Sequence, residues 1–323
     1  MSVGGSPAER TTVLLMAYGT PRSRDEIEAY YTDIRRGRAP TAEQLADLTA
    51  RYDALGGTSP LAARTEAQRV ALQAALAAIA PDRYDVVLGL KHADPKIEAA
   101  VAEVAAGGAK RIVGLVLAPH YSAFSVGQYH DRARATAESH GMRYAAIDSW
   151  ATEPAFVAFT ARSLCERVAA VAGEAGASAP TDVKVVFTAH SLPTRIIAAG
   201  DPYPDQLRAT AMAVAAQAGL DPWTGWTIAW QSAGRTPEPW LGPDILTVID
   251  DLAAAENDVG RPRGIVVSAV GFVADHLEVL YDLDIEAARR AGAHGLAFAR
   301  TECVNDDPVV MAALAARVVE ADR

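Results

Sequence analysis

Four carboxylates, Asp275, Glu278, Asp282 and Glu286, recur at spacings of 3, 4 and 4 residues in the stretch VGFVADHLEVLYDLDIE, residues 270 to 286. At roughly 100° per residue a helix would gather them within about 80° of one face. Like charges at i,i+4 cost a helix a few tenths of a kcal/mol per pair, so such a stripe is either a tolerated solvated face or a path for cations. Leu277, Leu280, Tyr281 and Ala288 fall on the opposite side of the wheel, and that amphipathic pattern alone would suit a surface helix. Asp275 stands at the predicted helix start, where a carboxylate can cap backbone N–H groups.

His190, in FTAHSLP, is the second chemical candidate, because a strand-like run delivers its imidazole to a turn held by Pro193. Histidine titrates near neutrality and suits proton transfer or metal ligation; the plainer reading is a ring hydrogen-bonded to its own loop. Tyr18, Lys91, His92, His120, Gln231 and Ser232 also follow strand-like runs, and a lone histidine in such a place is more often structural. Arginines cluster in DIRRGRAP and RYDALGGTSPL: Arg35, Arg36, Arg38 and Arg51, with Ser59 and the Gly56-Gly57 pair. Guanidinium forks with a hydroxyl suit the carboxylates of an acidic ligand, whereas a solvated helix end is the alternative. Tyr30 and Tyr31 on the same stretch offer either a core contact or a flat apolar wall.

The elements that must carry these residues are short apolar runs alternating with Ala-rich helical stretches. TTVLLMAYG, YDVVLGLKH, RIVGLVLAPH, YAAIDSW, DVKVVFTAH, WTIAWQS and GIVVSAVGF read as parallel strands covered on both faces, so the class is α/β. A weak internal repeat organises them. VLLMAYGTP matches VVFTAHSLP, VVLGLKHADP matches WTIAWQSAGRTP, and RIVGLVLAPHYSAFS matches GIVVSAVGFVADHLE, in the same order. Tyr18 is thereby the counterpart of His190. Two similar α/β units facing each other give the simplest account, with domains expected at 1–150 and 151–299 and a helix in 300–323 packing back on the first. VAGEAGASAP, at 171 to 180, reads as a loop. In open parallel sheets ligands bind beyond the carboxyl ends of the strands, which is where the polar residues gather.

With 323 residues, 50% of them hydrophobic and 22% charged, the chain can bury the cores of two ordinary domains. A formal net charge of -10 argues against nucleic acid as a partner while permitting a local basic pocket. The opening MSVGGSPAER is polar, and no later segment offers about 18 apolar residues free of charges or breakers, so a cytoplasmic protein without a membrane segment is expected. Neither G-x-G-x-x-G after the first strand nor a G-x-x-x-x-G-K-[ST] loop is present, which removes the main support for nucleotide binding. AHSLP also lacks the G-x-S-x-G elbow of a serine hydrolase. The two cysteines, Cys165 and Cys303, are too few for a disulfide framework or an all-cysteine metal site.

LLMAYGTP, YYTDIRRGR, GGTSPL, FTAHSLP, GDPYPDQL, WQSAGRTPEPWLGPDI and VGFVADHLEVLYDLDIE occur in that order, and from about residue 11 onward the chain resembles a ferrochelatase. The AYGTP start is similar to the coproporphyrin-using branch of actinobacteria and firmicutes; many protoporphyrin enzymes carry an NLG-like start. The resemblance implies insertion of Fe2+ into coproporphyrin III to give coproheme, in a cleft between two Rossmann-like domains of the type II chelatase fold. It implies that His190 and Glu278 face the inner nitrogens of the ring and that Tyr18 lies on the other face as a candidate iron ligand. Asp282 and Glu286 resemble an outer acidic site for hydrated metal ions, and Arg35, Arg51, Ser59 and Tyr129 resemble residues near the propionates. Many actinobacterial relatives hold a [2Fe–2S] cluster on four cysteines; with two cysteines here, no cluster is expected, and Fe2+ enters as substrate rather than as cofactor. Transient contact with upstream and downstream enzymes of the heme pathway fits the same resemblance. A chelatase for another metal or for protoporphyrin IX, and a non-catalytic tetrapyrrole or metal carrier, are the alternatives.

Overall fold

A computed structural model describes residues 10–176, 182–234, 236–255 and 261–323. Residues 1–9 of the polar opening and residues 177–180 of the Gly- and Ala-rich stretch at 171 to 180 lie outside the described residues. Residues 171–174, expected in a loop, instead complete a helix.

Two four-stranded parallel sheets form the framework. The first contains β1 (Thr11–Ala17), β2 (Tyr84–Leu90), β3 (Arg111–Val116) and β4 (Arg143–Ile147) in the order β2-β1-β3-β4. The second contains β5 (Val183–His190), β6 (Trp226–Gln231), β7 (Gly264–Ser268) and β8 (Ala297–Arg300) in the order β6-β5-β7-β8. The orders are the same once β1 is matched to β5, β2 to β6 and β3 to β7, the pairing implied by the internal repeat. β8 has no counterpart among the apolar runs read from the sequence. It is four residues long, half-buried throughout and ends on Arg300, so it lacks the continuous apolar signal of a central strand.

β1 and β5 carry that signal most clearly because each is flanked by strands and covered on both faces; all seven residues of β1 are buried. Helices α1 (Ile27–Ile34), α2 (Ala42–Ala54) and α3 (Leu61–Ile79) lie between β1 and β2, with α4 (Ile97–Ala106) and α5 (Val126–Ser139) in the later crossovers. Thr41 and Gln44 form a reciprocal capping box at the start of α2, fixing the helix that bears Arg51. The second sheet is reached through α6 (Pro154–Glu174) and is crossed by α7 (Arg195–Ala198), α8 (Tyr203–Gln217) and α9 (Ile245–Ala253). The predicted acidic helix is composite: α10 (Leu277–Val279), a π-helix over Leu280–Ala287, and α11 (Ala288–Ala293). α12 (Pro308–Ala321) follows.

One hydrophobic core runs through both sheets, joining Val13, Leu15, Trp150 and Phe156 to Val185, Phe187 and Leu314. Polar ties lock the units together where the core ends. Thr210 Oγ1 donates to the Ala151 carbonyl and accepts from His120 Nε2 at 2.8 Å, while Gln206 Oε1 accepts from the Tyr121 N–H and Ser149 Oγ. Burial pushes the His120 imidazole down to about 3, so it is neutral and structural.

α12 packs on α3 of the first unit, and the chain just beyond it is fixed by a buried charge. The Asp322 carboxylate, 1% exposed, accepts from Arg111 Nε at 2.8 Å and Arg83 Nη2 at 3.1 Å, and from Thr11 Oγ1 and the Tyr84 hydroxyl. It thereby clamps the amino ends of β1, β2 and β3. Removing one member of a buried ionic set leaves the others unpaired, so Asp322→Ala is expected to lower unfolding free energy by about 3 kcal/mol in denaturant titration. A loss under 1 kcal/mol would show that this clamp contributes little.

Candidate functional site

The site begins at the carboxyl end of β5. His190 is the last residue of that strand, in register with Gln231 of β6. Its Nδ1 lies on the Ser191 carbonyl at 2.5 Å and therefore carries the proton in that bond, leaving Nε2 to face the cleft. The Tyr203 hydroxyl donates to the His190 backbone carbonyl at 3.0 Å, and Ser191 Oγ donates to the Leu241 carbonyl. The turn is thus held by bonds on both sides of the imidazole.

The partner of His190 arrives from β7, and a glycine lets it come close. Gly271 donates its N–H to the Thr188 carbonyl, and a Cβ built on it would sit 2.4 Å from Ala189 Cβ and 2.6 Å from Ala189 Cα. Only a residue without a side chain lets the loop after β7 pass this close to β5. The loop then delivers His276 and Glu278. Glu278 Oε1 is 3.7 Å from His190 Nε2, and Glu278 Oε2 is 3.6 Å from His276 Nε2. Both distances are longer than good hydrogen bonds. Gln231 Nε2 donates to the Glu278 carbonyl, and His276 Nδ1 donates to the Ala274 carbonyl, so each imidazole turns Nε2 toward the carboxylate.

Burial by itself would raise the pKa of Glu278, but the charges of His190 and His276 outweigh it and hold the carboxyl well below the ordinary range. Burial would likewise lower His190, yet the Glu278 carboxylate and the Ser191 carbonyl lift it above its usual value. The two groups thus stabilise each other's charged forms.

Farther along, the acidic row differs from the α-helical wheel in three ways. Its central part is a π-helix, in which the Ala288 N–H reaches the Leu283 carbonyl five residues back. The face on the core is Val279, Leu283, Ala287 and Ala291 rather than Leu277, Leu280, Tyr281 and Ala288, so a buried apolar row runs one residue behind the acidic one. Asp275 caps nothing: Arg300 Nη2 and Asn305 Nδ2 bind its carboxylate, and His276 takes the cap position without a capping bond. Asp282 is 7% exposed, with Oδ1 accepting from Arg51 Nη1 at 3.2 Å and Oδ2 accepting from Ser232 Oγ at 2.5 Å. Burial, with the negative Glu278 and Glu286, pushes its carboxyl up to about 6 against the opposing pull of Ser232 and Arg51. Ser232 reaches it from a left-handed backbone, φ 58°, a strained conformation of the kind found at functional sites. Glu286, half-buried, has no ion-pair partner among the described residues.

The first unit faces this row with aromatic and cationic groups. Tyr18 follows β1 and is 42% exposed; its ring lies 4.6 Å from that of His92, and desolvation in the cleft together with Glu278 keeps the phenol protonated. His92 is pushed down to about 4, mainly by burial, and is held by Asp33 at 2.7 Å, whose other oxygen meets Lys96 at 2.9 Å. The Tyr30 hydroxyl donates to the Gly19 carbonyl. Lys91 Nζ sits 4.9 Å over the Tyr129 ring and donates to Gln128 Oε1; burial, then Arg132 and Arg36, bring it down to about 8. Arg51 lies 4.9 Å over the Tyr281 ring of the opposite unit.

His190 and Glu278 therefore meet, Tyr18 is electrostatically coupled to Glu278, and Asp282 meets Arg51. Arg35 and Ser59 are engaged locally: Arg35 donates to the Arg38 carbonyl and lies over Tyr31, and Ser59 Oγ accepts from the Leu61 N–H. Sequence reasoning passed over His276 and Tyr203. His276 stands two residues before Glu278, off its face on any helical wheel, and only its extended backbone, φ -154°, turns it to the same carboxylate. Among the described residues no group of three or more His, Cys, Asp or Glu side chains is arranged to hold a metal ion by itself.

The Ferrochelatase family model matches residues 10–322. The chain is 46% identical to a coproporphyrin III ferrochelatase of Geobacillus thermodenitrificans over 311 residues, 95% of each chain. It is 43% identical to a coproporphyrin III ferrochelatase of Halalkalibacterium halodurans and 42% identical to a ferrochelatase of Herpetosiphon aurantiacus, covering 94% and 93% of this chain and 94% and 95% of those proteins. Among solved structures, SirB from Bacillus subtilis with Fe3+ superposes with a TM-score of 0.56 at 13% identity, covering 97% of this chain and 95% of that one. CbiX, the terminal enzyme of siroheme biosynthesis in denitrifying bacteria, gives 0.51 at 14% identity over 97% and 99%. These two share the two-sheet fold, that of the type II chelatases.

Gly271→Ala tests how the site is assembled. A methyl group there must push β5 and the loop after β7 apart, at a cost of about 1–3 kcal/mol. The expected result is a lowered melting temperature and, in a crystal structure of the variant, a longer His190–Glu278 separation; an unchanged separation would remove the assembling role of this glycine.

Proposed function

The chain belongs to the ferrochelatase family, and from that premise we propose that it inserts Fe2+ into coproporphyrin III, giving coproheme and two protons. The observation that supports this most is the Glu278 carboxylate set between the imidazoles of His190 and His276 at the carboxyl ends of adjacent strands. The ring core must lose two N–H protons while the metal sheds its waters. A neutral His190 beside an anionic Glu278 can take one proton each, which is the capacity the reaction needs. In the ion-paired form the imidazole already holds its proton, so the reactive form is the one in which His190 has lost it. Tyr18 contacts iron from the other face. A cleft that holds the ring bent would favour the transition state over the flat substrate.

Arg35, Arg51, Ser59 and Tyr129 serve the propionates in this reading, with Lys91 beside Tyr129 adding positive charge. Asp282 and Glu286 form an outer route for hydrated metal, one turn and two turns beyond Glu278. The reaction uses no resident cofactor, and the two cysteines stand in different settings: Cys165 is exposed on α6, while burial raises the Cys303 thiol to about 12. A cytoplasmic enzyme passing coproheme to a following enzyme completes the reading; no helix among the described residues is long and apolar enough to cross a membrane.

Anaerobic Fe2+ insertion assays with coproporphyrin III and with protoporphyrin IX test the activity, and turnover is expected with the former in preference. His190→Ala should reduce turnover roughly 100-fold or more, the usual scale for losing a positioned acid–base group; wild-type turnover in that variant would sink the assignment. The sign of the pH effect is set by the pair. Glu278 raises His190, and the imidazole must be neutral to act, so kcat/KM should fall as pH drops through the His190 pKa. Glu278→Gln removes the raising charge and should move that acid limb to lower pH while lowering kcat. Purified protein should show no visible cluster absorption and no stoichiometric iron and sulfide.

A further inference from the structure

Arg51 is claimed from two sides. Its place in the first unit suits a ring carboxylate, yet the guanidinium reaches across the cleft to Asp282, with Nη1 3.2 Å from Oδ1, and lies over the Tyr281 ring. Its Nε faces Asp47 of its own helix at 3.4 Å, and the side chain remains 28% exposed. The planar fork carries five N–H donors, more than these two contacts use. Asp282, by contrast, is enclosed: its two oxygens are taken by Arg51 and Ser232, and the guanidinium places a positive charge where an approaching cation would meet the row. Among the described residues the Arg51–Asp282 pair is the one salt bridge between α2 and the π-helix, so a movement of this single side chain changes the charge of the row without moving a domain.

We propose that Arg51 couples the two substrates: a carboxylate of the bound tetrapyrrole draws the guanidinium off Asp282, and the uncovered carboxylate, with Glu286, then takes a hydrated divalent cation. The proposal rests on the tetrapyrrole reading given above. It makes the outer metal site conditional on the ring, so that cations gather beside Glu278 chiefly when there is a ring to receive them. Linkage makes the effect reciprocal, since a cation on Asp282 must strengthen ring binding by the same factor that the ring strengthens cation binding. A guanidinium that stayed on Asp282 while contacting the ring would give no such coupling.

The test uses the full-length protein, Mn2+ as the cation and zinc coproporphyrin III as a ring whose core is already filled. Free Mn2+ is followed by electron paramagnetic resonance. Saturating ring should tighten Mn2+ binding by wild-type protein roughly five-fold or more, the lower end of ordinary allosteric coupling. Arg51→Ala should bind Mn2+ that tightly without the ring and respond little to it, and Asp282→Asn should bind weakly in both conditions. In the reverse arm, quenching of tryptophan fluorescence should report ring affinity rising by the same factor with Mn2+. This arm needs only wild-type protein, so a folding defect in Arg51→Ala leaves the decision intact. Mn2+ affinity that ignores the ring, or that weakens in folded Arg51→Ala, overturns the coupling. Iron insertion into free coproporphyrin III by the same preparation separates the two levels: turnover without coupling overturns this inference alone, whereas no ring binding and no turnover overturn the functional reading with it.

Discussion

A carboxylate cannot be desolvated without compensation, and the placement of Glu278 is organised around that constraint. Two imidazoles from different segments face its oxygens, one at the end of β5 and one in the loop after β7. This requires β5 and β7 to be neighbours, as they are in the second sheet, and requires their following loops to touch. Gly271 permits the touch, Gln231 on the other flank of β5 anchors the Glu278 backbone, and Tyr203 anchors that of His190. Strand order, a missing side chain and two polar anchors are thus parts of one solution. Bringing two imidazoles to one carboxylate also stores the capacity to move protons, because the pair shifts each member's affinity in opposite directions.

The duplicated framework divides the labour of the cleft. Equivalent strand ends carry Tyr18 in the first unit and His190 in the second; Lys91 and His92 follow β2 where Ser232 follows β6. The first unit presents phenols, cations and one imidazole, His92, held by Asp33; the second presents two imidazoles on one carboxylate, with further carboxylates beyond it. A flat ligand with acidic edges and an N–H core needs both kinds of surface on opposite sides, and two copies of one topology supply opposed strand ends with no new architecture. The net charge of -10 is compatible with this, since a local basic surface does not depend on the sign of the whole chain.

Strands buried on both faces were legible because burial enforces continuous apolar runs, and the repeat was legible because equivalent strands end in equivalent turns. β8 was not, as a half-buried edge strand ending on Arg300 makes no such run. His190 and Glu278 could be picked out by type and position; His276 could not, because its role depends on an extended backbone just before the helix. The π-helix was illegible for a related reason. Spacing of four residues fits an α-helix and a wider turn about equally, and only the pattern of core contacts tells which apolar row is buried. Asp275 shows the limit of capping signals, since a nearby arginine and asparagine compete successfully for the same carboxylate.

The four carboxylates that repel one another on a helical wheel do not do so equally in the fold. Asp275 is turned aside to Arg300, Glu278 is balanced by His190 and His276, and Asp282 by Arg51 and Ser232. Glu286 alone is left without an ion-pair partner among the described residues. The row is therefore a gradient of neutralisation, not a uniform negative stripe: most compensated at the His190–Glu278 pair, compensated midway by Arg51 and Ser232, and least compensated at its far end. The cost of lining up like charges, a few tenths of a kcal/mol per exposed pair, is small beside the effect of choosing which of them is covered.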